Sequence, residues 1–214
     1  MTVSTGSFMP YGQLFVISAP SGAGKTSLIQ AALKTIANLA VSISHTTRSP
    51  RLSEKDGRDY HFVSDFEFEK LIESKALFEH AKVFNNHYGT SRKAVEEKLA
   101  AGIDVILEID WQGAAQVRQK TSEAVSIFIL PPTREALRER LVERNQDDSF
   151  VIDARMDEAD ETISQAAHFD YWIINDDFET TLDHLKSIIM SFRQRRSRIQ
   201  SNNPLFLENL RGKQ

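Results

Sequence analysis

Residues 19 to 26, Ala19-Pro20-Ser21-Gly22-Ala23-Gly24-Lys25-Thr26, follow the apolar run Leu14-Phe15-Val16-Ile17 and precede the helix-permissive Ser27-Leu28-Ile29-Gln30-Ala31-Ala32-Leu33. A glycine-rich turn between a buried strand and a helix aims successive backbone N–H groups into one concavity, where the positive end of the helix dipole also favours a polyphosphate. Lys25 adds a mobile point charge for the outer phosphates, and the Thr26 hydroxyl is spaced to ligate magnesium. Ala19 stands where the usual pattern opens with glycine, which is tolerated if the backbone there is not left-handed. A chance Gly-Lys-Thr turn would need neither the strand nor the register. Both are present, so nucleotide phosphate chemistry is the leading reading.

A second group of residues suits a second anion. Ser44-His45-Thr46-Thr47-Arg48-Ser49-Pro50-Arg51 sets two guanidinium groups three positions apart beside hydroxyls, in a turn fixed by Pro50. Paired arginine forks hold a phosphate monoester bidentately. Tyr60 and Tyr88 add hydroxyl donors, and a carboxylate such as Glu79 accepts from adjacent N–H groups of a base. Asp110 follows the apolar Val105-Ile106-Leu107, where nucleotide enzymes set an acidic residue that orients magnesium. His45, His61, His80 and His87 lie near these segments, but their spacing matches no zinc pattern; ordinary hydrogen bonding is expected.

These residues must be positioned by alternating elements. Strands are predicted over Gln13–Ser18, Val41–Ser44, Ala76–Val83, Asp104–Asp110, Ala124–Leu130 and Tyr171–Asn175, and helices over Lys25–Ile36, Asp65–Ser74, Ser91–Ala101, Thr133–Asn145, Val151–His168 and Glu179–Arg198. Runs such as Ser126-Ile127-Phe128-Ile129-Leu130 are continuously apolar, as in strands covered by helices on both faces. The alternation predicts a parallel α/β sheet with ligands at the carboxyl ends of its strands. Residues 44 to 84 break the rhythm and read as an insertion able to hold a second ligand. Residues 143 to 161 mix carboxylates with Arg144 and Arg155 and read as a mobile helical lid. The run Arg193-Gln194-Arg195-Arg196-Ser197-Arg198 reads as a solvated helix end complementing the dipole rather than as an RNA-binding or acidic-partner patch.

At 214 residues and 41% hydrophobic content the chain can bury a core as one domain, and its formal charge of −4 supplies no field to hold a nucleic-acid backbone. The absence of cysteine excludes disulfides and thiolate catalysis. No apolar run reaches membrane-spanning length, and Met1 to Tyr11 lacks a signal-peptide pattern, so a cytoplasmic protein without membrane or nucleic-acid partners is expected. Self-association into a homo-oligomer is left open.

The chain closely resembles guanylate kinase from about Gly12 to about Phe192. The resemblance is carried in order by the 18–25 loop, Ser44 to Arg51, Tyr88-Gly89-Thr90-Ser91, Glu108-Ile109-Asp110-Trp111-Gln112-Gly113, Ile129-Leu130-Pro131-Pro132 and Ile174-Asn175-Asp176-Asp177. It implies phosphorylation of GMP, with dGMP as a further acceptor, from ATP with Mg2+. It also implies a three-layer P-loop NTPase fold of the α/β class, with a parallel central sheet, an inserted GMP-binding subdomain and a helical lid. The expected organisation is a flexible 1–11, a core of 12–43, 85–140 and 170–192, an insertion of 44–84, a lid of 141–169 and a tail of 193–214. By resemblance, Arg48, Arg51, Tyr60 and Tyr88 hold the GMP phosphate, and Ser44, Glu79, Thr90 and Glu108 read guanine. Relatives often have Asp where Glu108 stands. Arg140, Arg144 and Arg155 address the transferred phosphate and the ATP tail, Asn175 lies near adenine, and Thr26 and Asp110 serve the metal. Asn145 replaces the glycine usual after the middle arginine.

Guanine presents donors at N1 and its exocyclic amine, whereas adenine offers none at N1. A buried carboxylate therefore rewards guanine by one to a few kcal/mol per group, of order the penalty for an unpaired buried acceptor. The competing readings are a kinase for another nucleotide, a simple NTPase, and a non-catalytic module that binds phosphorylated peptides. Lys25, Thr26, Asp110, Arg144 and Arg155 argue for an enzyme.

Overall fold

Leu14-Phe15-Val16-Ile17 is apolar on both faces of an extended chain, and such a strand is stable only where helices cover it front and back. The structure, a computed structural model, describes residues 11–83, 85–143 and 149–212. Residues 1–10 of the expected loose N-terminus, and Arg144 with Asn145, lie outside the described residues. Along the chain run β1 (Leu14–Ser18), α1 (Lys25–Thr35), β2 (Leu39–Val41), β3 (Ser44–Thr46), β4 (His61–Phe62), α2 (Asp65–Glu73) and β5 (Leu77–Val83). There follow β6 (Asn86–Ser91), α3 (Arg92–Ala100), β7 (Asp104–Glu108), α4 (Trp111–Lys120), β8 (Val125–Leu130), α5 (Arg134–Glu143) and α6 (Ser149–Ser164). A 3₁₀ turn (Gln165–His168), β9 (Tyr171–Ile174), α7 (Phe178–Arg193), α8 (Arg196–Asn202) and α9 (Phe206–Leu210) complete the described chain.

The central sheet is all parallel, in the order β2-β7-β1-β8-β9. Alternate residues of β1 face opposite layers. Phe15 and Ile17 pack with Leu28 and Ile29 of α1 and Leu185, Ile189 and Phe192 of α7, while Leu14 and Val16 pack with Val95 and Leu99 of α3 and Ala114 and Val117 of α4. Phe15 meets Phe192 edge to face at 5.8 Å between centroids. Each such fully buried side chain contributes about 1.5–3 kcal/mol.

A second, four-stranded sheet has the order β4-β3-β6-β5. The strand predicted over Val41–Ser44 is in fact two, since the chain leaves the central sheet at Val41 and enters the second at Ser44. A local alternation of apolar and polar residues cannot reveal a change of sheet. β6 belongs to this second sheet, pairing with both β3 and β5, so the sheet runs past the boundary expected at residue 84. Its Asn-His-Tyr-Gly-Thr-Ser sequence has no apolar pattern; pairing makes it a strand.

The second sheet is tied to the core by α4. Gln116 Nε2 donates to the His80 carbonyl at 2.5 Å and its Oε1 accepts from the His80 N–H at 3.2 Å. Lys120 Nζ donates to the Phe78 carbonyl at 2.5 Å. Both ties hold the stretch of β5 that carries Glu79.

The basic run after residue 192 differs from expectation. The helix ends at Arg193, and two of the run's arginines converge on Asp104, which is 1% exposed. Arg193 Nε lies 2.8 Å and Arg198 Nη2 2.6 Å from its carboxylate oxygens, and the Gln13 N–H donates to it at 2.7 Å. A carboxylate buried at the start of β7 needs this charge, which only a chain continuing beyond 192 supplies. Asp104→Asn is expected to lower stability by roughly 2–4 kcal/mol by leaving two guanidinium groups against an uncharged partner. Urea titration measures the loss, and a value within 0.5 kcal/mol of wild type, about the size of an ordinary surface substitution, refutes the clamp.

Candidate active site

Gly24 precedes α1 with φ of 90° and caps it with no side-chain hydrogen bond, leaving the first-turn N–H groups without a side-chain acceptor. Gly22 has φ of 92°, a second backbone state that L side chains rarely adopt. Ala19 is absent from the left-handed residues, which removes the objection to alanine there. Lys25 Nζ donates to the Ile109 carbonyl at 3.3 Å. Ala19, Pro20, Ser21, Gly22, Gly24, Lys25 and Thr26 all line a cleft of about 660 Å3, while Ala23 is fully buried beneath it. That volume is in the range of small-molecule sites, about 300–1,000 Å3.

The opposite wall comes from the second sheet, whose register decides which side chains meet. Ser44 pairs with Thr90 across β3 and β6, and Thr90 with Glu79 across β6 and β5. Thr90 Oγ1 donates to Glu79 Oε1 at 2.6 Å and lies 3.5 Å from Ser44 Oγ. Glu79 is 2% exposed. Burial, reinforced by Asp110, pushes its carboxyl up to about 7 against the opposing Thr90 hydrogen bond and Lys120 charge. Gly113 makes room for it: a Cβ there would lie 2.4 Å from Glu79 Oε2.

Arg48, Arg51, Tyr60 and Tyr88 line the same cleft. The Arg48 guanidinium sits 5.4 Å from the Tyr60 ring centre and 5.9 Å from that of Phe62. Burial pushes the Tyr60 hydroxyl up to about 12, assisted by Glu108 and Tyr88, so it stays a donor at neutral pH. Among the described residues no three of His, Cys, Asp and Glu are placed to hold an ion. His45 and His61 stack at 4.7 Å, and His87 packs on Phe68.

Glu108 lines the cleft, where its charge acts on Tyr60, and its Oε1 accepts from Thr26 Oγ1 at 2.5 Å. Asn175 does not line the cleft. It is 5% exposed, its Nδ2 donates to the Ala23 carbonyl at 2.7 Å, and its own carbonyl accepts from Arg140 Nη2 at 2.8 Å. The end of β9 runs beneath the loop, so Asn175 braces it and Arg140 braces Asn175. A Cβ on Gly24 would meet Asn175 Nδ2 at 2.4 Å, which gives that glycine a packing reason as well as a conformational one.

Asp110 caps α4, its Oδ1 accepting from the Gly113 N–H at 2.9 Å, and it lines the cleft beside Lys25. Burial raises its carboxyl against that hydrogen bond and the Lys25 charge. Thr26, Glu108 and Asp110 offer oxygen donors only, which suits a hard divalent ion that keeps its waters and is shared with phosphates.

Helix α6 contributes Val151, Ala154, Arg155, Glu158 and Thr162. Glu158 was not singled out in the sequence, although Val151, Arg155, Glu158 and Thr162 recur at helical spacing and so share a face. Burial pushes its carboxyl up to about 7, with Asp110 and Glu161 adding to the shift and Arg155 opposing it. α5 and α6 share an apolar core in Leu137, Leu141, Ile152, Met156 and Ala159. Gly22 packs against it, since a Cβ there would lie 3.0 Å from Leu141 Cδ2.

A glycine loop of this shape, at the carboxyl ends of a parallel sheet, defines the P-loop nucleotide-binding class. Known proteins narrow that class. The guanylate kinase family model matches residues 11–192. A guanylate kinase of Saccharophagus degradans is 54% identical over 201 residues, which cover 94% of this chain and 98% of that one. One from Escherichia coli is 52% identical over 204 residues, covering 94% and 99%. The crystal structure of guanylate kinase from Anaplasma phagocytophilum aligns with a TM-score of 0.73 at 36% identity, over 90% of this chain and 92% of its own. The chain belongs to the guanylate kinase family.

Glu79 yields a test of sign. Its carboxyl is raised in the folded state from an ordinary 4.5 to about 7, so the native protein keeps a proton that the unfolded chain has released. That contribution to stability is full below about pH 4.5 and is lost as pH rises through about 7. Glu79→Gln removes the slope and is expected to gain on the order of 2 kcal/mol over wild type at about pH 8, and nothing comparable at about pH 5. Chemical denaturation at the two pH values checks it; an equal difference at both refutes the buried-carboxylate account. Asn175→Ala, in turn, is expected to raise the KM for ATP about tenfold while leaving that for GMP within twofold, from the loss of one buried hydrogen bond under the loop. Initial-rate kinetics with each substrate varied would show it, and a selective effect on GMP would contradict the brace.

Proposed function

We propose that the protein transfers the γ-phosphoryl group of ATP to GMP, giving ADP and GDP. One observation carries the reading: an anion-binding loop bearing Lys25 faces, across a single cleft, a pair of arginines beside a buried carboxylate. The loop N–H groups and Lys25 take the ATP phosphates, Arg48, Arg51, Tyr60 and Tyr88 take the acceptor phosphate, and Ser44, Glu79 and Thr90 read guanine. Glu108, which lines the cleft and accepts from Thr26 of the loop, is proposed to contact the base as well. Asn175 and Arg140 act on ATP through the loop's shape.

An acceptor phosphate oxygen attacks the γ-phosphorus in line, and the bond to the bridging oxygen of ADP breaks. The acceptor is already anionic, so no strong base is needed; the task is to bring two polyanions together and neutralise the charge spreading over the transferred group. Lys25, Arg48 and Arg155 supply that charge from this chain, and Arg144 is proposed to join them. Thr26, Glu108 and Asp110 would hold magnesium, which would offset part of that charge. Closure of α6 over the cleft would exclude water and suppress idle hydrolysis.

dGMP, which presents the same base and phosphate, is proposed as a second acceptor. Among the described residues no helix is long and apolar enough to cross a membrane. The proposed setting is purine nucleotide metabolism and GMP recycling in the cytoplasm, without membrane or nucleic-acid partners.

A coupled assay with GMP, dGMP, AMP and UMP is expected to show turnover with the first two only. Lys25→Ala and Arg155→Ala are each expected to lower kcat by on the order of 10³-fold. Near-normal turnover in both, or comparable turnover of AMP, would sink the reading.

A further inference from the structure

Arg48 is held from behind. Its Nη2 lies 2.9 Å from Glu54 Oε1 and its Nη1 donates to the Ser49 carbonyl at 2.7 Å, while Glu54 Oε2 accepts from the Arg51 N–H at 2.8 Å. One carboxylate thus bonds the guanidinium of one cradle arginine and the backbone of the other. Both side chains are largely buried, 19% and 14% exposed, unlike the surface pairs on α3 or between α5 and α6. The turn closes on itself, the Glu54 N–H donating to the Arg51 carbonyl at 3.0 Å. Tyr60 and Phe62 flank the same guanidinium.

Arg48, Arg51, Tyr60 and Tyr88 line the cleft, and Glu54 does not. That placement decides between two roles. A carboxylate occupying the phosphate position would compete with the acceptor; a carboxylate behind the arginine orients it. Burial alone would raise the Glu54 carboxyl, but the bonds from Arg48 and the Arg51 N–H outweigh it and hold the group below the usual range, so it is ionised wherever the enzyme works.

We propose that Glu54 is the positioning residue of the acceptor-phosphate cradle, fixing the Arg48 fork and the Arg51 turn in the geometry that receives the phosphate of GMP. The inference rests on the proposed assignment of Arg48 and Arg51 to that phosphate. It makes a prediction opposite to plain electrostatics, because deleting a negative charge beside an anion site should tighten anion binding.

The test is initial-rate kinetics and GMP calorimetry on Glu54→Ala, Glu54→Gln, Arg48→Ala and the Glu54→Ala/Arg48→Ala double variant. Glu54→Ala is expected to raise the KM and Kd for GMP about tenfold or more, through misplacement of the cradle, and to leave the KM for ATP within twofold. Glu54→Gln, which keeps an oxygen for Arg48 and the volume of the side chain, should recover part of the loss. In the Arg48→Ala background the Glu54 change should cost little more, since residues that act through each other are non-additive. A lower KM for GMP in Glu54→Ala, an equal rise for ATP, or full additivity with Arg48→Ala overturns the proposal. Should Arg48→Ala itself leave GMP binding unchanged, the cradle assignment falls instead. If Glu54→Ala does not fold, Glu54→Gln with its own double variant decides by the same criteria.

Discussion

The first-turn N–H groups of α1 open on the cleft, and Gly24, the residue that caps them, has no side chain with which to answer. A helix terminus left in that state favours an anion with both its donors and its dipole. The neighbouring helix shows the contrast: α4 also starts at the carboxyl end of a central strand, yet Asp110 accepts from its first turn and closes it. One terminus is kept for a ligand and the other is spent on setting a carboxylate beside it. Keeping the first one open requires a loop whose shape does not depend on the ligand, and the buried Asn175, bonded to Ala23, supplies that shape from below.

The opposite wall poses a different physical problem, an acceptor carboxylate held out of water. Three strands place Ser44, Thr90 and Glu79 in one row, and α4 anchors the row through Gln116 and Lys120 while Gly113 leaves space for the carboxylate. A group so buried is costly when ionised and unpartnered, which supports its proposed role in favouring a ligand that brings donors to it. α5 and α6 add a third surface. Their small apolar core and the Arg134–Asp160 and Arg138–Asp153 pairs make them a unit, and exposed pairs of that kind contribute little, about 0–1 kcal/mol each, so the apolar contacts dominate its integrity.

Much of this was legible in the chain. The phosphate loop was, because strand, glycines, lysine and helix are contiguous and the ligand is bound mostly by backbone. Most of the central strands and helices were too, usually within a residue or two of their ends, because continuous apolar runs and helical periodicity are local signals, but α4 (Trp111–Lys120) was not among the predicted helices. The second sheet was read only in part: β6 has no apolar pattern and the passage from β2 to β3 leaves no local mark. Glu108 and Asn175 were placed by resemblance near ligand, and only the folded chain shows that Glu108, within the cleft, also accepts from Thr26 and that Asn175 bonds Ala23 beneath the loop.

The order of elements, the parallel class of the sheet and the types of residue able to meet phosphate and base were determined by the sequence itself, since propensity, periodicity and side-chain chemistry act over a few residues. Tertiary structure decided which groups meet. Asp104 finds Arg193 and Arg198 about ninety positions away, Asn175 finds Ala23 across 152, and Gly113 yields its space to Glu79. Strand register and burial set those encounters. They also set the carboxyl of Glu79 near 7, because desolvation belongs to the packed surroundings rather than to the residue.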